Sequence, residues 1–582
     1  MNEPLAWLEF DADALQRAKA AERPIVMVLT VPWCHHCKEL LATSFADPAV
    51  TALVREAFVP VLVDAERRPD VNERYSAGGW PTIAWLTPGG DLINNDTFLT
   101  PAQLLARLEK VRAYWRDRRA DIQEGIKDLW LQKTERAPDV RGRLARQMVE
   151  DVTDAIYEKL DHRYGGWGNG PKFPHPEAID FALVQVAKRN DERMREVVTL
   201  TLDHMLESPL HDITDGGLFR FSKTPDWRSP NFEKLLDQNA KVLRACLEAF
   251  QLLGKASYRR AAEGIVDWML KFMRDDATGA FYGSQDGDQD YYNLDQKGRG
   301  RRSPPVQDRT IYANANALVI SGLFKASAVL GRPEWREQAM VALRFQLENL
   351  FDGNEVYHYW DGTYHLPGML SDQAYLIRAL IDASQNTGDA DLLLPAERIA
   401  EQAIARQQAP GGGFYDILHD PRSQGPMRRR NRSILENAVM AESLVRLGYL
   451  SRRPEFYREA ISTLEAFAND YKEYGYYVAG YGRAVDLIFY EPLFLTIVGH
   501  RDSAAAEQLR RAALATYVPS RIVQLLDPRH DPILIGRSGY RVEAEPVVYI
   551  TVGKTTRSVV RTPEELAKAI EEIEWQRRAS LQ

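Results

Sequence analysis

Cys34 and Cys37, three positions apart, are the residues whose type and spacing most directly imply chemistry. If a helix opens at this pair, a thiolate at Cys34 lies where unpaired backbone N–H groups and the helix dipole stabilise negative charge, so its pKa falls and it can attack a disulfide. Cys37, one turn on, then resolves the mixed disulfide. Zinc competes for the same spacing, but it wants a second ligand pair, and the adjacent His35 and His36 converge poorly on one ion. Those histidines read equally as exposed polar filler or as groups that tune the thiols. Lys38 reads as a surface charge or as a further influence lowering a thiol pKa. Pro81 in Gly78-Gly79-Trp80-Pro81-Thr82 is placed for a cis bond, which would hold the backbone beside the thiols with its polar groups open to a substrate chain.

A second set of candidates lies beyond residue 120, around turns that pair glycine with an aromatic residue. Trp167, Lys172, His175, Arg220, Glu233, Asp237, Asp286, Asp288 and Asp372 are its ligand-binding candidates, with His211, Trp227, Tyr359 and His365 beside them. Aromatic faces pack on the C–H surfaces of a sugar-like ring, and charged side chains take its hydroxyls. Glu233 and Asp237 are like charges one helical turn apart, which an isolated helix disfavours and a shared ligand or proton role would explain. Bland readings stand beside these: Asp372 complements a helix dipole, Trp227 is core, and a solvated face accounts for Glu233 and Asp237. Asp286-Gly287-Asp288-Gln289-Asp290 resembles a calcium loop only at its start. Tyr291 occupies the required glycine position and Lys297 that of the closing glutamate, so an EF-hand is rejected. No motif calls for a metal or a cofactor.

The elements that must position these groups follow from periodicity. Residues 10–22 read as a helix, 25–30 as a strand, 35–56 as a longer helix opened by the cysteines, 59–64 as a strand, and 101–118 as a closing helix. That order makes residues 1–118 a thioredoxin-like domain. Glycine-aromatic turns then recur at Gly165, Gly216, Gly279, Gly362, Gly412 and Gly475, at intervals of 51, 63, 83, 50 and 63 residues. Each interval holds two helices, so residues 119–485 are expected to close as an (α/α)6 toroid with an open polar cavity at its glycine-aromatic rim. Strand-like runs at 493–498, 521–526 and 547–552, with helices near 503–516 and from Pro563, make residues 486–582 a small α/β appendage packed on the toroid. The fold class is thus multidomain α/β plus all-α.

Composition narrows the partners. A net charge of −8 and a pI near 5.9 give no general attraction to nucleic acid or to an anionic membrane. No leader segment opens the chain, and the apolar stretch from Pro24 to Trp33 is too short to cross a bilayer. Three cysteines in 582 residues are too few for a disulfide-stapled scaffold and suit a reducing, cytoplasmic setting, with Cys246 among core residues. Expected partners are a disulfide-bearing protein or thiol reductant and a sugar-like small molecule; the oligomeric state is open.

Six motifs together carry a family resemblance: Cys34-His35-His36-Cys37, Asp64-Ala65-Glu66-Arg67-Arg68-Pro69-Asp70, Gly78-Gly79-Trp80-Pro81, Gly165-Gly166-Trp167-Gly168, Pro171-Lys172-Phe173-Pro174-His175-Pro176, and Phe232-Glu233-Lys234-Leu235-Leu236-Asp237-Gln238. On these the chain resembles the thioredoxin-like family that includes spermatogenesis-associated protein 20. The resemblance implies a thioredoxin-like domain joined to a six-hairpin toroid similar to those of N-acylglucosamine epimerases and some glycosidases. The chain departs from the family pattern at Lys38, where a histidine is usual, at Gln285 for glutamate, at Ala315 for tryptophan, and in lacking a carboxyl-terminal cysteine pair. The leading expectation is thiol–disulfide exchange in the first domain coupled to a carbohydrate-like ligand cavity in the second. The alternatives are a sugar isomerase, epimerase or glycoside hydrolase in the toroid, and a non-catalytic scaffold or chaperone adaptor.

Overall fold

The computed structural model describes residues 4–134, 141–553 and 555–580, in two compact units: Met1–Asp139 with Ile417–Asn431, and Val140–Asp416 with Arg432–Gln582.

The first unit is built on a four-stranded sheet of order β2-β1-β3-β4, formed by β1 (Ile25–Thr30), β2 (Val59–Asp64), β3 (Thr82–Leu86) and β4 (Leu92–Asp96). β1 runs parallel to β2 and antiparallel to β3. Both central strands are apolar along almost their whole length, because helices cover both faces. Those helices are α1 (Ala12–Ala21), α2 (His35–Ala42), α3 (Pro48–Ala57), α4 (Pro69–Tyr75) and α5 (Pro101–Thr134). The helix expected over 35–56 is divided: Asp47 caps α3 by accepting from Ala49 and Val50, and Pro48 occupies its first position. α5 runs past its expected end at residue 118, with Arg118 outside helical geometry. The segment Ile417–Asn431, expected within the toroid, belongs to this unit. Met427 packs on the core around Phe10 and Tyr75, and Arg74 donates to the Arg429 carbonyl at 2.8 Å.

The second unit contains twelve helices in six hairpins. The outer helices are α6 (Gln147–Glu158), α8 (Glu192–Glu207), α10 (Ala256–Trp268), α12 (Pro333–Asn349), α14 (Leu393–Gln407) and α16 (Pro454–Glu465). The inner helices are α7 (Pro176–Arg189), α9 (Leu236–Leu253), α11 (Ala313–Leu330), α13 (Leu370–Thr387), α15 (Ile434–Leu450) and α17 (Ala479–Phe489). Each inner helix packs on the next, and α17 returns to α7, so the ring is closed. α11 has the length and apolarity of a membrane-crossing helix, but it is an inner helix packed between α9 and α13.

Every glycine-aromatic turn precedes an inner helix, which places all six at the ring end where the inner helices begin. Glycine is required at Gly165, whose φ is +67° and where a Cβ would lie 2.6 Å from the Thr201 Cα. A repeated asparagine bracket fixes three of these turns. Asn239, Asn316 and Asn437, each in the first turn of an inner helix, accept from the N–H of Leu218, Phe281 and Phe414 at 2.7, 2.8 and 2.6 Å. Each donates back to the carbonyl of the same turn residue.

The carboxyl-terminal part adds β5 (Leu493–Val498), α18 (Ala504–Ala515), β6 (Arg521–Leu526), α19 (Pro532–Arg537), β7 (Val547–Val552), β8 (Thr555–Val560) and α20 (Pro563–Ala579). It lies against α7, α11 and α13, and Val523 N–H donates to Gln385 Oε1 of α13 at 2.8 Å.

Candidate functional sites

In the first unit Cys34 is the N-cap of α2, and its Sγ accepts the Cys37 N–H at 3.2 Å. The same Sγ lies 3.8 Å from the Trp80 carbonyl, and the Trp80–Pro81 bond is cis. Trp33 and Trp80 meet edge to face at 5.6 Å, anchored by Trp33 Nε1 donating to Glu66 and Trp80 Nε1 donating to Asn72. Cys34 is 6% exposed and Cys37 1%. The hydrogen bond with Cys34, then burial, then the neighbouring thiol charge push the Cys37 thiol far above its ordinary pKa, with Lys38 opposing. An attacking outer thiol and a protonated inner one is what exchange requires. His35 and His36 are exposed, and His36 Nδ1 meets Glu39 at 3.2 Å. Among the described residues no three His, Cys, Asp or Glu side chains form a ligand set for a metal.

In the toroid, several sequence candidates brace loops. Lys172 is fully buried, donating to Asp161 at 2.8 Å and to the Gly165 carbonyl at 3.0 Å. Lys234 repeats this on Asp212 and Gly216, so Lys172 is one of two lysine clamps on glycine turns. Trp167 is core, stacked on Tyr476 at 5.7 Å with its Nε1 donating to Ile156. Trp227 is also core, donating to the Tyr164 carbonyl. Asp372 is fully buried and faces His358 Nδ1 at 2.9 Å while accepting from Asn314 N–H, a partnership that its helix-start position did not reveal. Asp288 caps a short helix by accepting from Tyr291 N–H, and Asp286 is half-buried, its N–H donating to Val306. Glu233 is buried and accepts from Asn231; burial raises its pKa. Arg220 lies over Phe221 at 5.1 Å, with Phe221 stacked on the exposed Phe173 at 4.8 Å. His211 Nδ1 meets the Leu206 carbonyl, and His365 stacks on Tyr359 at 4.6 Å. His175 is half-buried against Tyr476 and Tyr477 at 5.3 and 5.5 Å, and burial lowers its pKa.

These residues do not line one common cavity. The cavity lies deeper, on the ring axis, with a volume of about 70 Å3 and a wall drawn from all six inner helices. That space suits about five waters. Its polar lining is Glu177, Asp180, Lys241, Arg244, Ser321, Tyr375, Arg378, Glu442 and Arg483. None was a sequence candidate, although Asp237, one turn before Lys241, adds to the negative charge that keeps this lysine protonated. Glu177 is 47% exposed, so the funnel is wet at its mouth, whereas Glu442 at the same wall is 7% exposed.

Ion pairs order this lining. Lys241 meets Glu177 at 2.9 Å, Arg378 meets Glu442 at 2.6 Å, and Arg244 and Lys325 both meet Glu248 at 3.0 Å. Arg483 pairs with Asp180. Burial, with Glu248 beside it, pushes the Asp180 carboxyl up to about 7 against the pull of Arg483 and Arg244. Glu442 is held far below the ordinary range: burial opposes ionisation, but Arg378, Arg483 and Arg244 outweigh it. The same wall therefore holds one carboxyl that titrates near neutrality and one fixed carboxylate, a split that suits acid–base work. Among the described residues, Ser321 Oγ and Arg378 Nε have no hydrogen-bond partner. An adjoining cavity of about 60 Å3 shares Arg244 and Ser321 and extends to Lys325, Asp382, Arg446 and Arg521. Leu514 of the Ala504–Ala515 helix and Arg521 of the Arg521–Leu526 strand also line it, and Lys325 Nζ lies 5.7 Å from the Tyr517 ring.

Residues 1–133 match the family described as Thioredox_DsbH, protein of unknown function, DUF255. Human spermatogenesis-associated protein 20 is 22% identical over 97% of this chain and 90% of its own length. The cellobiose 2-epimerase of Spirochaeta thermophila superposes with a TM-score of 0.47 at 15% identity, over 59% of this chain and 98% of its own. A D-mannose isomerase does so with a TM-score of 0.46 at 11% identity, over 58% and 96%. The chain is thus a thioredoxin-like amino-terminal domain followed by a closed helical toroid.

Proposed function

We propose that the toroid binds a small polyhydroxylated molecule in its axial funnel and moves a proton on it, as a sugar isomerase or epimerase does. The observation that carries this reading is the axial wall itself: Asp180, titrating near neutrality, shares one cavity with the cations Lys241, Arg244, Arg378 and Arg483. In its ionised form Asp180 would take a proton from the carbon beside a carbonyl, and the cations would stabilise the oxyanion that develops. Delivery of a proton to the opposite face of the same carbon completes epimerisation, and delivery to the neighbouring carbon completes isomerisation, with no net change in electrons. The partly exposed Tyr477 and Phe173 at the rim supply faces for ring C–H groups. A plugged, purely structural toroid is disfavoured, because Ser321 Oγ and Arg378 Nε on this wall are buried with no hydrogen-bond partner among the described residues.

The test is incubation with a panel of aldoses, ketoses and their acids in D2O. Wild-type protein is expected to place deuterium in at least one of them, and D180N to lower that rate by about a hundredfold or more. No incorporation by wild type, or equal incorporation by both, would overturn the proposal; cleavage of a glycoside without incorporation would replace it with hydrolysis.

A second reading, thiol–disulfide exchange in the first unit, is favoured by the Cys37 N–H donated to Cys34 Sγ. Its partners would be a disulfide-bearing protein and a thiol reductant, in a reducing, cytoplasmic setting. Cys34 is expected to be alkylated at neutral pH well before Cys37, by peptide mapping; the reverse order would remove the role assignment.

A further inference from the structure

The carboxyl-terminal residues repeat the plan of the first unit. The first sheet has the order β2-β1-β3-β4 and the last β6-β5-β7-β8, and in each the first two strands in sequence are parallel and the remaining pairs antiparallel. The connections also correspond: a helical crossover after the first strand, formed by α2 and α3 in the first unit and by α18 alone in the last, a short proline-opened helix after the second, and a long helix after the final hairpin.

The match extends to single residues. Asp64 ends β2 and Pro69 opens α4; Asp527 follows β6 and Pro532 opens α19 at the same spacing. Pro81 directly precedes β3, and Pro546 directly precedes β7. Cys34 caps α2 with its Sγ accepting from Cys37 N–H, three positions on; Ser503 caps α18 with its Oγ accepting from Ala506 N–H at 3.4 Å, also three positions on. In the first unit the strand–helix turn is tied to the loop after β2 by Trp33 Nε1 donating to Glu66. In the last part Arg501 N–H donates to Asp527 at 2.9 Å, and His500 Nδ1 meets the same carboxylate at 3.1 Å. The proline loop closes on the turn in both: Cys34 Sγ lies against the Trp80 carbonyl, and a Cβ on Gly499 would come within 2.7 Å of Pro546.

We infer that residues 493–579 are a second thioredoxin-type fold, in which Ser503 and Ala506 stand at the positions of Cys34 and Cys37 and Pro546 at that of Pro81, so that this copy is redox-silent. A parallel pair joined through a helix is common by itself. The shared strand order, the two prolines, the aspartate and the sulfur-for-hydroxyl cap together are not explained by that generality. Without thiols the copy serves packing: Arg521 donates to the Ala513 and Leu514 carbonyls and lines the cavity that adjoins the axial one. This inference stands independently of the proton-transfer reading.

The test restores the dithiol in the full chain. In a C34S/C37S background, S503C/A506C is titrated with oxidised glutathione. Each pair that reacts loses two protons and two electrons to form one S–S bond, and one glutathione disulfide becomes two glutathione thiols. The control is S433C/E436C in the same background, since Ser433 likewise caps α15 and accepts from Glu436 N–H at 3.4 Å but has no proline loop equivalent to that of Pro546. The expected result is one intramolecular disulfide, a loss of two titratable thiols, and an equilibrium constant for oxidation about tenfold or more above the control. A pair that stays reduced, crosslinks between chains, or oxidises no further than the control would overturn the inference. Should the double substitution fail to fold, S503C alone must form a mixed disulfide with glutathione faster than S433C alone, and an equal or slower rate would overturn it as well.

Discussion

The axial carboxylates show how little a residue type says until its neighbours are known. Asp180 and Glu442 are acids on facing helices, yet burial and Glu248 raise one to about 7, while Arg378 and Arg483 hold the other ionised. The raised group makes a pH prediction. Its folded pKa lies above its unfolded value near 4, so the stability it contributes is complete below about pH 4 and is lost as pH rises through about 7. The melting temperature of wild type is therefore expected to decline more steeply than that of D180N between about pH 5 and 8. Parallel declines in a thermal-shift titration would show that Asp180 does not titrate there. The dithiol follows the same logic: the Cys34 contact, then burial, keep Cys37 protonated.

At the scale of elements, the glycine-aromatic turns are rigid because buried donors and acceptors are answered. Asn316 answers three: it accepts from Phe281 N–H and donates to the carbonyls of Phe281 and Tyr312. N316A leaves these groups buried without partners, and a loss of about 2–4 kcal/mol is expected, given a cost of about 1–3 kcal/mol for one such group and partial relaxation of the turn. Urea unfolding of the full chain measures it; a loss below about 1 kcal/mol would mean that water replaces the bracket. Asn239 and Asn437 make the same bonds, and their sequence signal was available: an asparagine at the fourth position of three inner helices. Lys172 and Lys234 form a comparable repeat, an Asp-x-x-x-Gly turn closed by a lysine. Read one at a time, these looked like ligand groups; compared across turns, they are braces.

For the larger unit as a whole, the ring and the carboxyl-terminal fold form one structure. Gln385, buried near the end of α13, accepts the Val523 N–H of β6 at 2.8 Å, and a Cβ on Gly388 would sit 3.3 Å from that of Leu525. Q385A is expected to speed amide exchange along β6 and to lower stability by about 1–2 kcal/mol, with the toroid turns at the opposite rim unaffected. Hydrogen-exchange mass spectrometry reads both regions together. Unchanged exchange in β6 would show that apolar packing alone holds the junction. Leu514 and Arg521 of the carboxyl-terminal part line the cavity that adjoins the axial one.

Local signals determined the first unit and the toroid's plan from sequence alone. A strand, a turn and a helix opening at Cys34 place a thiol at an N-terminus whatever the rest of the chain does, and six glycine-aromatic turns with room for two helices between them imply a ring. The funnel was not legible in this way. Glu177, Asp180, Lys241, Arg244, Arg378, Glu442 and Arg483 come from five helices spread over more than 300 residues, and each alone looks like part of an ordinary solvated helix face. Helical periodicity separates polar from apolar faces, but it cannot say that the polar faces of an inner ring point toward one another. Ring closure alone brought those charges within reach, shifted Asp180, and turned a set of unremarkable side chains into a site. The second thioredoxin-type fold was hidden for a related reason: strand order is a property of pairing in space, and with serine and alanine in place of the cysteines no local motif remained to announce it.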